Sequence, residues 1–195
     1  TGTRVAPVIK ANAYGHGAVA VARAITAAGA DYLCVARVDE ALALREAGIG
    51  CEILVLGYTP PETAAAAVGQ GLTLAAFDAD AITAYATAAR AVGRKARLHL
   101  KLDTGMTRLG ALPTEASALA DRILSDRDLE LDGLFQHFAA SDSRDKTSAR
   151  LQLARFNEVL AALPRRPRLV HACNSAGALT LPEAYFDLVR TGIVF

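Results

Sequence analysis

Eight short apolar runs recur along this chain with helix-forming stretches between them, and that alternation limits the fold more than any other feature. The runs are Val5–Ala11, Tyr32–Ala36, Ile53–Gly57, Leu72–Phe77, Ala96–Leu102, Leu131–Phe138, Leu169–Ala172 and Leu188–Phe195. Most are rich in Val, Leu and Ile and do not alternate strictly, which suits strands covered on both faces. Helical patterns fill the gaps: Ala18–Ala28 before Gly29, Val38–Ala47 before Gly48, and a third opened by Pro60-Pro61-Glu62, where proline in the first turn sacrifices no hydrogen bond. Ala79–Val92 before Gly93, Pro113–Leu124 and Thr147–Leu163 follow, with a short helix after Asn174. Strands alternating with helices predict a parallel sheet. Eight of them favour closure, so the expected fold is α/β, a (β/α)8 TIM-type barrel incomplete at both ends, with residues 1–195 as one barrel domain. An open doubly wound sheet is the alternative.

Composition agrees. Of 195 residues, 52% are hydrophobic, enough for a large core. Lys and Arg number 21 against 20 Asp and Glu, so no electrostatic footprint points to nucleic acid or an anionic membrane. No apolar run approaches the roughly 20 residues of a membrane-spanning helix. Cys34, Cys51 and Cys173 are sparse and form no CxxC, which argues against a disulfide framework or a cysteine-rich zinc site and fits a reducing cytosol. Thr1 opens no signal-like segment, and the last run stops as if inside a strand. The expectation is a piece of a longer protein, with some catalytic groups elsewhere.

In such a barrel, reacting groups lie where strands end and the following loops begin. Strand one ends in Lys10-Ala11-Asn12-Ala13-Tyr14-Gly15-His16-Gly17, and strand five in Lys101-Leu102-Asp103-Thr104-Gly105-Met106-Thr107-Arg108-Leu109-Gly110. Strand six ends at Gln136-His137-Phe138 and strand seven in His171-Ala172-Cys173-Asn174-Ser175, while strand eight carries Arg190-Thr191-Gly192-Ile193. Lys10 says most. A lysine closing an apolar strand is costly unless paired, and burial favours the neutral amine that attacks carbonyls. The plainer reading is a lysine snorkelling into solvent. Asn174-Ser175 and Gly192-Ile193 lie where barrels often bind phosphate, although Asn-Ser before a helix also serves as a simple N-cap. His137 reads either as a core histidine or as a site residue. His171 ranks below it, and His16 and His99 carry less still. No residue set has a metal-binding spacing, and Gly15-His16-Gly17 is too short for a phosphate loop.

These motifs resemble a known family. Val8-Ile9-Lys10-Ala11-Asn12-Ala13-Tyr14-Gly15-His16-Gly17 is similar to the pyridoxal-phosphate signature of bacterial alanine racemases, which are fold-type III enzymes. The Lys101–Gly110 segment, His137-Phe138-Ala139, Asn174-Ser175-Ala176 and Arg190-Thr191-Gly192-Ile193 complete the series in the family's order, so the resemblance covers the whole chain. It implies pyridoxal 5′-phosphate as cofactor and interconversion of L- and D-alanine, which supplies D-alanine for cell-wall peptidoglycan. It also implies a cytoplasmic homodimer acting on a small amino acid, without nucleic acid or membrane partners. By the same resemblance Lys10 bonds the cofactor and moves one substrate proton. Tyr14, Ser175 and the backbone at Gly192 and Ile193 take its phosphate, and Asn174 lines the pocket. Leu56 touches the ring, His137 lies beside it and Arg190 faces its nitrogen. Arg108 contacts the phenolic oxygen and the substrate carboxylate, and Lys101 matches a position that can be carbamylated. The family's second base is a tyrosine in a partner subunit's β domain, so the chain alone is expected to be inactive. Two departures stand out: Thr107 where glycine is common, and Gln136 where threonine or serine is frequent.

Other readings stay open at this point. A serine or broad-specificity racemase shares most of these motifs, while an amino-acid decarboxylase matches the lysine motif less fully. A non-catalytic cofactor-binding barrel has a lysine on strand one but lacks the Tyr14–Gly17 continuation. A phosphosugar isomerase would need a carboxylate base at a strand end, for which Asp103 is the candidate.

Overall fold

A computed structural model describes residues 2–193. Val194 and Phe195, the end of the last expected strand, lie outside the described residues. Among the described residues eight strands occur, all parallel to their neighbours: β1 (Arg4–Val5), β2 (Tyr32–Val35), β3 (Glu52–Val55), β4 (Thr73–Ala76), β5 (Ala96–Lys101), β6 (Leu129–Phe135), β7 (Leu169–His171) and β8 (Leu188–Val189). β2 to β7 form one six-stranded ladder in sequence order, and β1 pairs with β8. Isolated hydrogen bonds span the two seams. Cys34 N donates to Pro7 O (2.8 Å) and Ile9 N to Cys34 O (2.9 Å) on one side. On the other, Asp187 N donates to Val170 O and Arg190 N to Cys173 O, both at 3.0 Å. The α/β barrel is therefore incomplete in its ladders and complete in its order of strands.

Helices cover the outside. After the short element α1 (Lys10–Tyr14) come α2 (Ala18–Ala27), α3 (Val38–Glu46), α4 (Pro61–Gly69), α5 (Ala79–Val92), α6 (Ala116–Ser125), α7 (Thr147–Ala162) and α8 (Ser175–Thr180). Among the described residues no helix follows β8, and none is long and apolar enough to cross a membrane. Alternate strand residues face opposite ways. Leu33, Val35, Ile53, Val55, Leu98 and Leu100 pack outward against helices, while Tyr32, Cys34, Leu54 and Leu169 fill the barrel interior. With them inside sit the buried polar residues His99, Lys101, Asp132, His171 and Arg190. Groups so costly to bury mark where the function lies.

Candidate active site

Strand one does not continue to Ala11 as its apolar run suggests. Lys10 opens α1, where Ala11, Asn12, Ala13 and Tyr14 have φ of 51°, 55°, 53° and 54°. A left-handed turn of four L-residues is unfavourable by itself and must be held from outside. Glu40 holds it: one carboxylate oxygen accepts from Ala11 N (2.6 Å), the other from Ala36 N (2.8 Å) and Arg37 N (3.1 Å). The Asn12 side chain accepts from Ala18 N (2.7 Å), tying the turn to α2. Lys10 and Tyr14 are thereby fixed at the C-terminal mouth.

Tyr14 stands against β8's extension. A Cβ on Gly192 would lie 2.6 Å from the Tyr14 hydroxyl and 3.1 Å from Val8 Cβ, so only glycine fits there without displacing the ring. The Ser175 hydroxyl accepts from Gly192 N (2.9 Å), which completes a cluster of two hydroxyls and a glycine backbone. Asn174 is the N-cap of α8, its Oδ1 accepting from Gly177 N (2.9 Å) and from the Ser141 hydroxyl (2.6 Å). Ile193 is exposed.

Four cations converge beside this cluster. Burial, and then the charges of Arg190, Arg108, Lys101 and Lys10, push His137 down to about 3, so it is neutral at physiological pH. Burial, then Arg108, Arg190 and Lys10, draw Lys101 down to about 8. Its Nζ donates to Leu56 O at 3.2 Å, which brings Leu56 into the same group. Arg190 is buried. One guanidinium nitrogen donates to His171 Nδ1 (2.7 Å), the other to Gln136 O (2.7 Å) and Ala172 O (3.2 Å). Burial pulls its pKa down to about 10, which leaves it charged near neutrality.

Arg108 is exposed on the loop after β5. Asp103 organises that loop, its carboxylate accepting from Gly105 N (2.9 Å) and Thr107 N (3.0 Å). Those bonds explain Asp103 as a loop anchor and remove the reason to read it as an isomerase base. Thr107 has φ 55°, the left-handed region, so threonine stands where the backbone favours glycine. Beneath the loop Thr104 bonds Gln136 and accepts from Gln152 Nε2 (3.1 Å), so the unusual Gln136 serves as packing for the loop base.

A family model described as alanine racemase, N-terminal domain, matches residues 1–195. The chain belongs to the alanine racemase family. It is 45% identical to the alanine racemase of Desulfovibrio desulfuricans, across 99% of this chain and 53% of that relative. It is 46% identical to that of Symbiobacterium thermophilum, across 97% and 51%. Among solved structures, the alanine racemase of Clostridium difficile 630 superposes with a TM-score of 0.94 at 34% identity, across 99% of this chain and 51% of that one. The chain thus spans about half the length of the alanine racemases it matches.

Sequence reasoning missed several residues around this site. The sequence pattern places Glu40 only within the helix Val38–Ala47, although a glutamate three residues beyond a helix start is a recognised capping signal. His99 carries little signal by itself, yet it lies two residues before Lys101 on β5, and period-two alternation puts both inside the barrel. Asp132 sat unnoticed within an apolar run.

Proposed function

We propose that this chain is the cofactor-bearing barrel of an enzyme that interconverts L- and D-alanine using pyridoxal 5′-phosphate. The observation that carries this reading is the meeting, at one mouth, of Lys10 with the Tyr14–Ser175–Gly192 cluster. Four cations share that mouth with Asp103, whose carboxylate is already engaged by its own loop. A site with surplus positive charge, two hydroxyls and a glycine whose missing side chain lets a ligand approach the backbone fits an anionic, phosphorylated cofactor. When bound, that cofactor supplies an electron sink that makes the substrate's Cα proton acidic.

In this reading the chain's residues divide the work. Lys10 would hold the cofactor, and its amine would serve as the proton carrier on one face of the substrate. Tyr14, Ser175 and the backbone at Gly192 and Ile193 bind the phosphate, with Asn174 lining the same wall. Leu56 and His137 would line the wall beside the cofactor's ring. Arg190, which does not give up its proton, would face the ring nitrogen and keep that nitrogen unprotonated, weakening the electron sink that the cofactor supplies. Arg108 takes the substrate carboxylate. The lowered pKa of Lys101 leaves part of it as free amine, whose nitrogen can bond carbon dioxide with loss of a proton; the resulting anion would hold Arg108. A second base on the opposite face is needed. We assign it to the protein beyond this barrel, within a cytoplasmic homodimer.

Borohydride reduction of the whole protein with pyridoxal phosphate, followed by peptide mapping, should label Lys10. Label on Lys101 or Lys95 would overturn the assignment.

A further inference from the structure

Arg190 does not stand alone. Its partner His171 is one link of a buried chain that runs along the barrel interior to the opposite mouth. His171 Nε2 lies 2.8 Å from His99 Nδ1, and His99 Nε2 lies 3.1 Å from Asp132 Oδ2. Asp132 accepts from Arg168 Nε at 2.6 Å (Oδ1) and from another Arg168 nitrogen at 2.9 Å (Oδ2). Arg168 in turn reaches Glu52 (2.9 Å), the first residue of β3. Other titratable groups facing the chain are Tyr32, whose hydroxyl is 3.4 Å from His99 Nε2, and Cys34 near Arg190.

Donor and acceptor rules give this chain one direction. Guanidinium only donates, so His171 Nδ1 must accept and its proton sits on Nε2. That N–H donates to His99 Nδ1, which places the His99 proton on Nε2 as well. The His99 proton then points at a carboxylate, which only accepts when ionised. Burial favours the neutral form of both imidazoles. Burial would raise Asp132, but the His99 and Arg168 hydrogen bonds outweigh it and hold the carboxyl below the ordinary range. No donor meets a donor anywhere along the chain.

The fold also reserves room for it. A Cβ on Gly133 would fall 2.5 Å from three atoms of the His99 ring, and the β5–β6 register shifts between Leu98 and His99. His171 is held face to face with Phe135, with ring centroids 4.8 Å apart and planes within 4°.

We propose that Asp132 is a positioning residue for Arg190: acting through His99 and His171, it fixes the accepting nitrogen that anchors the guanidinium at the site. Without a carboxylate, His99 Nε2 is free to accept. The proton pattern can then invert, leaving His171 Nδ1–H facing the Arg190 donor and forcing them apart. The chain of bonds is independent of any cofactor; its effect on the reaction rests on the reading of Arg190 given above.

The test uses the whole enzyme, wild type and Asp132→Asn, a near-isosteric change. Nitrogen NMR of histidine-labelled protein should show His99 and His171 neutral and protonated at Nε2 in the wild type, with that single pattern lost in Asp132→Asn. The ratio of transamination to racemisation should rise in Asp132→Asn by roughly three- to tenfold, the scale of weakening one hydrogen bond to a charged group, in the direction of Arg190→Glu. A wild-type His171 carrying its proton on Nδ1 overturns the proposal, and this measurement needs no variant to fold. So does an Asp132→Asn enzyme that keeps wild-type tautomers and product ratio while Arg190→Glu changes the ratio. If Arg190→Glu itself leaves the ratio unchanged, the assignment of Arg190 to the ring nitrogen has failed, and the tautomers in the two proteins decide the positioning chain by themselves.

Discussion

At the scale of single residues, the mouth of the barrel is organised by charges that cannot escape one another. Arg190 is the clearest case, because both of its terminal nitrogens donate to buried protein acceptors, His171 on one side and the Gln136 and Ala172 carbonyls on the other. Replacing it with glutamate in the whole enzyme should slow racemisation and raise transamination, because a carboxylate favours a protonated ring nitrogen and a stronger electron sink. The substitution also buries an unmatched negative charge beside two carbonyls, at a cost of about 3–5 kcal/mol. The product ratio of the folded enzyme is therefore the quantity to measure, and an unchanged ratio would mean Arg190 does not face the nitrogen. Thr107 makes the opposite kind of statement. Its branched side chain occupies a left-handed backbone (φ 55°), so Thr107→Gly should stabilise the protein. Relief of strain offsets the added freedom of glycine in the unfolded chain, for a net gain of about 0.5–1 kcal/mol. A urea midpoint that falls instead of rising would show that the loop is not strained at this position.

At the scale of elements, the sequence carries most of the helices and strands but not the turn that matters most. Ala79–Val92 is both the expected and the observed helix, because its start and stop are written locally: Asp78 accepts from Ala81 N (2.7 Å), and Gly93 ends it at φ 65°. The run Val5–Ala11 misleads, because β1 covers only Arg4–Val5 and the chain then turns left-handed after Lys10. No glycine within Ala11–Tyr14 announces that conformation. Its cause is Glu40, 29 residues away, and local patterns cannot report a contact at that distance. The same dependence makes a prediction. Glu40→Ala removes the acceptor for three backbone N–H groups, each of which water can partly replace, and should destabilise the protein by about 1–2 kcal/mol. It should also weaken cofactor binding by roughly tenfold, equivalent to about 1.4 kcal/mol, since Lys10 and Tyr14 ride on that turn. Titration of the apoenzyme with pyridoxal phosphate, followed by its absorbance, would check this; wild-type affinity in a destabilised variant would show that the turn does not need Glu40 to present the site.

At the scale of the whole molecule, the barrel interior stores polar groups whose protonation differs between folded and unfolded chains. The sequence indicates which strands carry them, but not that His99 on β5, Asp132 on β6, His171 on β7 and Arg190 just after β8 align into one path, because that depends on ring closure. Three histidines, His99, His137 and His171, have their pKa lowered, chiefly by burial. Unfolded, each would titrate near about 6.5. Above that pH both states are neutral and nothing is lost. As pH falls below it, the unfolded chain takes up protons that the folded one refuses, so stability drops by about 1.4 kcal/mol per pH unit for each histidine, or about 4 kcal/mol per unit for three. A domain stable by about 5–15 kcal/mol cannot withstand that slope for long. Asp132 adds a second loss at lower pH: its folded pKa is depressed, so its contribution is full above the ordinary carboxylate range and is lost progressively as pH falls from there toward the depressed folded pKa. The cofactor-free protein should therefore unfold on acidification between about pH 6 and 4, above the range where carboxylates alone would act. Urea unfolding at a series of pH values gives the proton uptake directly from its slope. His137→Asn should reduce that uptake by one proton without touching the Asp132–His99–His171 path, and a stability that stays flat from pH 7 to 5 would mean that these imidazoles titrate normally inside the fold.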